Sequence, residues 1–223
     1  LAPDTPPSDA LILAFDTSAA HCAAALLSGG QVLAQRHEAM ATGQAEALFP
    51  LLEQVLADGG AAWADLSALG VGTGPGNFTG TRIAVSAARG LALALGCPAV
   101  GVTLFEARAM GLPRPLWVLE DARRGEFHVQ EFAPDGAGAP LLLDMSDLAH
   151  VVSGSAVTGG AAAQLAARLP GLTVLPSAFP LAEAIARVAA GRWQAPGLPR
   201  PAPLYLRAAD AAPSRHPAPA LLP

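Results

Sequence analysis

Apolar positions change their period several times along the chain. LILAFDTS (residues 11–18) is an apolar run ending in polar side chains, and CAAALLSGGQVLAQRHE (22–38) holds two more runs around Ser28-Gly29-Gly30-Gln31, a hairpin signature. The pattern predicts three antiparallel strands. From Gly43 to Asp58 the period becomes helical. Leu48, Leu51, Leu52 and Val55 recur at spacings of three and four, and Ala45, Phe49 and Leu56 widen that stripe beyond one contact surface. Pro50 removes a helix hydrogen bond, at about 3 kcal/mol outside the first turn, which predicts a kink or a late start. Leu66 to Gly72 reads as a strand and Phe78 to Leu95 as a second long helix closed by Gly96 and Pro98. Ala99 to Val102 then reads as a short strand and Leu104 to Met110 as a helix. Strand, loop, helix and strand in this order make a parallel unit.

After Pro113-Arg114-Pro115 the pattern restarts with PLWVLE, EFHVQEF, LLLDMSDLAHVV and SAVTGG. DARRGEFHVQEF (121–132) predicts a tight turn entering an edge strand, with Phe127, Val129 and Glu131 on one face and His128, Gln130 and Phe132 on the other. Helices are expected at Gly160 to Leu169 and Pro180 to Arg192. The domain reading is a disordered lead-in (1–10), a first lobe (11–102), a smaller second lobe (103–195) and a proline-rich tail (196–223) that docks at most as an extended segment.

Composition narrows the chemistry. The chain has 223 residues, 52% of them hydrophobic, but alanine carries much of that apolarity, and no stretch approaches the roughly 20 bulky apolar residues that a bilayer requires. LAPDTPPSDA lacks the basic start and apolar core of a signal peptide, so a cytoplasmic protein without membrane contact is expected. Cys22 and Cys97 read as isolated small hydrophobes. All thirteen basic residues are arginines, which excludes a Walker lysine, Schiff bases and lysine-activated serines. Residues 1–110 hold four arginines against nine acidic residues and residues 111–223 nine against nine, so neither half has a basic surplus for RNA.

The five histidines, at 21, 37, 128, 150 and 216, show no HxxxH or HExxH spacing, and no GxSxG is present. A metal site and a serine nucleophile are therefore not expected, and a protease reading has neither. The loop GTGPGNFTGTR (72–82) could aim backbone N–H groups from Gly74, Gly76, Asn77, Thr79 and Gly80 at a phosphate, with Arg82 one turn into the helix. It matches neither GxxxxGK[ST] nor GxGxxG. Asn77 or Thr79 would serve equally as a helix cap worth about 1 kcal/mol, and the heavier reading is a tight turn with close backbone packing. Asp16-Thr17-Ser18 at a strand end resembles the metal- and phosphate-approaching aspartate of the actin and sugar-kinase superfamily, yet the second phosphate loop is missing and VTGGAA (157–162) echoes it without an aspartate. Gly80, Ala84, Ala87, Ala88 and Leu91 form a smooth helical face. With the stripe on residues 45–56 it leaves two readings open: a partner interface, or packing on the chain's own sheet.

ILAFDTS, LFPLLEQVL, GPGNFTGTRIAVSAARGLA (74–92), DARRGEFHVQEF and YLR (205–207) resemble the TsaB (YeaZ) family in order and spacing, strongest in the GPGxFTGxR block; Ala84 stands where glycine is common. The resemblance implies an α/β, actin-like (ASKHA, ribonuclease H-like) two-lobed fold with a mixed five-stranded sheet in the first lobe and a reduced second lobe. It also implies a non-catalytic subunit in the formation of threonylcarbamoyladenosine at tRNA adenosine 37. Its implied partners are a TsaD-like transferase, bound through two first-lobe helices, and a TsaE-like ATPase, with tRNA reached through the complex and a homodimer open to the lone chain. ATP is used by the complex and no cofactor is expected on this chain. Leu48, Leu51, Leu52, Val55, Gly80, Ala84, Ala87, Ala88 and Leu91 are the expected interface. Asp16, Thr17, Gly74, Gly76, Asn77, Thr79 and Arg82 are expected to be a vestigial phosphate site or loop structure. The alternative is a stand-alone ATP-binding enzyme of the actin and sugar-kinase superfamily using Asp16 and the 74–80 loop.

Overall fold

The computed structural model describes residues 10–207. The expected lead-in, apart from Ala10, and the tail after Arg207 lie outside the described residues. Strands β1 (Leu11–Asp16), β2 (His21–Ser28) and β3 (Gln31–Ala39) form the expected meander, and β4 (Ala68–Gly72) and β5 (Ala99–Val102) add in parallel. The order β3-β2-β1-β4-β5 makes a mixed five-stranded sheet. The hairpin turns on Gly29 and Gly30, both at positive φ, as the Ser-Gly-Gly-Gln signature requires.

Helices α1 (Gln44–Asp58) and α2 (Phe78–Leu95) cover one face of this sheet. α1 runs unbroken from Gln44 through Pro50, so there is no late start. Pro50 lies on the exposed side, where water can satisfy the carbonyl its ring leaves unpaired. The opposite face of the sheet is covered by α6 (Leu181–Ala190), which sets Ala184, Ile185, Val188 and Ala189 against Ile12, Ala14, Val100 and Val102. The domain reading placed this helix in the second lobe. Its apolar face instead completes the first, so the first lobe is discontinuous in sequence.

α3 (Leu104–Ala109), capped by Thr103 and Glu106 in a reciprocal capping box, leads into the second lobe. There β6 (Leu116–Asp121), β7 (Glu126–Ala133), β8 (Gly136–Ala137), β9 (Leu141–Asp144), β10 (Ala156–Thr158) and β11 (Thr173–Val174) form a sheet ordered β11-β10-β6-β7-β8, with β9 also on β7. α4 (Met145–Val151) and α5 (Ala162–Ala166) pack on one face through Leu148 and Leu165. β7 is an interior strand, paired on both sides, where an edge strand was expected. Gln130 and Phe132, on the face opposite Phe127 and Val129, are buried as well, and Phe132 packs with Phe105 of α3. The result is the two-lobed, actin-like α/β arrangement with a reduced second lobe.

Candidate functional site

The end of β1 and the glycine loop after β4 are built against each other. A Cβ on Gly72 would sit 1.9 Å from Asp16 Oδ2, and one on Gly80 would sit 1.9 Å from the Thr17 carbonyl oxygen. Gly76 is similarly closed by Ser18 O at 2.4 Å. Glycine is needed here because the backbone of residues 16–18 lies directly on the loop. Hydrogen bonds stitch the two together: Thr17 Oγ1 donates to Gly80 O at 2.7 Å, and Asn77 N donates to Ser18 O.

The same loop engages its own backbone donors. Asn77 Oδ1 accepts from Thr79 N at 2.9 Å and Gly80 N at 3.1 Å, and Asn77 O accepts from Thr81 N. Three of the donors that this helix start could offer an anion, from Thr79, Gly80 and Thr81, are therefore taken up by Asn77. Gly74, at φ 83°, turns the chain so that its carbonyl accepts from Leu104 N, tying the loop to α3.

Asp16 is 2% exposed, and its Oδ1 accepts from Ser18 N and Ser18 Oγ, both at 2.9 Å, and from His21 Nε2 at 2.8 Å. Serine, aspartate and histidine thus meet, a grouping the histidine spacing did not reveal and that D-T-S-x-x-H at a strand end could have signalled. Its order is wrong for hydrolysis. The carboxylate sits in the middle and accepts the hydrogen bond of the serine hydroxyl, whereas a nucleophilic serine needs the imidazole as its base. Among the described residues no group of three or more His, Cys, Asp or Glu could hold a metal ion.

Arg82 was expected to hold the loop or its strand; its partner comes from the tail. Its Nε donates to Tyr205 Oη at 2.8 Å, and its guanidinium lies 3.6 Å from the centre of the Phe78 ring and 5.7 Å from that of Tyr205. The tail is pinned on both lobes: Leu204 N donates to Thr73 O, Leu204 and Leu206 pack beside Phe105, Leu116 and Phe132, and Arg207 pairs with Glu126. Between the lobes lies a cleft of ≈ 1500 Å³. Burial, helped by Arg207, lowers the pKa of His128 on its wall, so that imidazole is neutral at pH 7.

The expected interface residues need correction. Leu48, Leu51, Leu52 and Val55 are at most 1% exposed, and Gly80, Ala84 and Ala88 are buried too, all under the helices on the chain's own sheet. Each of these leucines stabilises the monomer by about 1.5–3 kcal/mol, so no partner can take them without opening it. Ala87 and Leu91 alone of the nine stay half-buried at the rim. What the two helices present outward is different: Phe49 at 44% exposure, Phe78 at 47% and Leu93 at 87%, with Ala45, Ala57, Ser86, Gly90 and Ala94 between charged residues.

Cys22 is buried in the first core, and burial, then Glu38 and Asp16, raise its thiol pKa to about 11. The folded state thus holds its proton more tightly than the unfolded chain, whose thiol has a pKa of 9.0. Its contribution to stability is constant below pH 9 and is lost as pH rises from 9 to 11. Thermal melts of the wild type and Cys22→Ala should differ by a constant amount from pH 7 to 9 and converge above it. An unchanged gap at pH 11 would mean that the thiol titrates normally.

Similarity to known proteins agrees with this geometry. Residues 33–140 match the family model of TsaD, tRNA N6-adenosine threonylcarbamoyltransferase. The Escherichia coli tRNA threonylcarbamoyladenosine biosynthesis protein TsaB is 35% identical over 132 residues, 57% of this chain and 57% of that protein, so the match spans little more than half of that relative. The uncharacterized Mycobacterium bovis protein Mb3455c is 34% identical over 91% of this chain and 94% of its own length. A Pseudomonas aeruginosa structure, described as similar to peptidase YeaZ, superposes with a TM-score of 0.74 at 26% identity, covering 89% of this chain and all of that one. No helix among the described residues is long and apolar enough to cross a membrane. Shared sequence, a shared two-lobed fold and the signature loop lead to one assignment: the chain belongs to the TsaB/YeaZ family.

Proposed function

We propose that this chain is a non-catalytic subunit in the formation of threonylcarbamoyladenosine on tRNA, docking on a TsaD-like transferase and sustaining its activity. The observation behind this reading is that the glycine loop is turned inward: Asn77 caps α2, and Asp16 Oδ1 is held by Ser18 and His21. An inward-turned loop, and a serine whose proton faces a carboxylate rather than an imidazole, support a role without chemistry of its own, and the names of its relatives point to tRNA modification. The docking surface in this reading is the outward side of α1 and α2, around Phe49 and Leu93, with Ala87 and Leu91 at its rim. A TsaE-like ATPase joins the pair and consumes the ATP, and the lone chain can cover the same surface with a second copy.

The test is a reconstituted reaction read by mass spectrometry of the modified nucleoside. Removing this chain from a mixture of transferase, ATPase, activated threonylcarbamoyl donor and unmodified tRNA should lower product formation at least tenfold, and adding it back should restore it. A transferase equally active with and without it would contradict the reading.

A further inference from the structure

The interlobe cleft has no role in docking, yet its wall is not neutral. Five arginines line it, at 82, 108, 123, 124 and 207, against two carboxylates, Glu120 and Asp121. This excess stands out in a chain of net charge −5. Glu120 pairs with Arg108 and Glu126 with Arg207, which partly neutralises those two cations, and Arg82 donates to Tyr205. Arg123 and Arg124 are exposed at the turn between β6 and β7, at φ 63° and 55°. Long side chains rarely occupy this left-handed region, and the turn that holds them there sets both at the cleft wall. Two half-exposed rings, Phe78 and Tyr205, stand at the same cleft, 5.2 Å apart, with one face of Phe78 covered by the Arg82 guanidinium.

We propose that this cleft binds a single-stranded stretch of RNA, with arginine forks on its phosphodiesters and an unstacked base on Phe78 or Tyr205. Guanidinium groups match phosphate geometry, and aromatic faces beside a cationic groove are what single strands bind. At ≈ 1500 Å³ the space exceeds the roughly 300–1,000 Å³ of small-ligand pockets. The spent donors at the start of α2 argue against a nucleoside triphosphate in the same place. The choice of tRNA as the RNA rests on the functional reading above; the cleft's preference for single-stranded phosphodiesters does not.

Fluorescence anisotropy of the full chain with a labelled, unmodified tRNA anticodon stem-loop tests this between 50 and 200 mM salt. Saturable binding that weakens with salt is expected. Arg123→Asn with Arg124→Asn keeps a residue type that tolerates left-handed backbone. It should weaken binding at least tenfold and lower the salt slope by about 2, near one for each phosphate no longer held by a guanidinium. Phe78→Ala should weaken binding of the loop on the order of tenfold and leave binding of a duplex of equal length unchanged. Arg168→Asn, an exposed cation away from the cleft, should bind as the wild type. Absent saturable binding, equal weakening in Arg168→Asn, or displacement of the RNA by ATP at equal phosphate concentration would each overturn the proposal. RNA binding by a chain that fails to join the transferase would uphold the cleft and refute the functional reading; the reverse pattern would do the opposite.

Discussion

Gly80→Ala should lower the melting temperature by about 10 °C or prevent folding, although it replaces the poorest helix former but proline with the best. Helix propensity alone favours the change by about 1 kcal/mol. The new methyl carbon would lie 1.9 Å from the Thr17 carbonyl oxygen, a backbone atom that cannot swing aside. Relief requires α2 to move off β1, breaking the 2.7 Å bond from Thr17 Oγ1 to Gly80 O and the bond from Asn77 N to Ser18 O. Overpacking of this kind costs about 3 kcal/mol or more, and each kcal/mol shifts the melting point of a chain this size by about 2–4 °C. Gly90→Ala is the internal control. Nothing lies within 4 Å of its would-be Cβ, so it should stabilise the same helix by about 0.5–1 kcal/mol. Thermal melts of the two variants should move in opposite directions; a Gly80→Ala chain that melts with the wild type would show that the loop and β1 do not touch.

The second large effect separates the two sides of α1 and α2. Phe49→Glu with Leu93→Glu alters only exposed positions, so stability should hold within about 0.5 kcal/mol. Affinity for the transferase should fall at least a hundredfold, since exposed aromatic and aliphatic anchors carry most of the energy of a docking surface. Leu52→Glu should do something else entirely. Leu52 is 0% exposed between Val55 and the first sheet, and an unpaired carboxylate there should leave no folded monomer to assay. Circular dichroism and pull-down on the same preparations distinguish the two; retention of binding by the outer-face variant would move the docking site elsewhere.

Much of the fold was legible because its signals are local. The hairpin at Ser28–Gln31 and the helices at 44–58 and 78–95 follow from turn chemistry and period, and their bounds agree closely. A helical stripe, however, carries no sign. Leu48, Leu51, Leu52 and Val55 showed which side of α1 is apolar, but not whether sheet or partner lies on it, and the sheet covers it. The width that suggested a partner came in part from Ala45 and Phe49, the members of the stripe that do point outward. Non-local features were hidden for a different reason. α6 returns to the first sheet across the whole second lobe, and Arg82 meets Tyr205 from 123 positions away, neither of which any window of sequence can register. The glycine loop was half legible: its glycines signalled close approach, while the approaching group, the backbone of residues 16–18, emerged only in three dimensions.

Size-exclusion chromatography with light scattering on an equimolar mixture of this chain and its cognate TsaD-like transferase, at micromolar concentration, puts the docking role to the test. Coelution as a complex containing both chains, abolished by Phe49→Glu with Leu93→Glu, is the expected result. Two separate peaks at the masses of the unmixed proteins, across low and physiological salt, would contradict it.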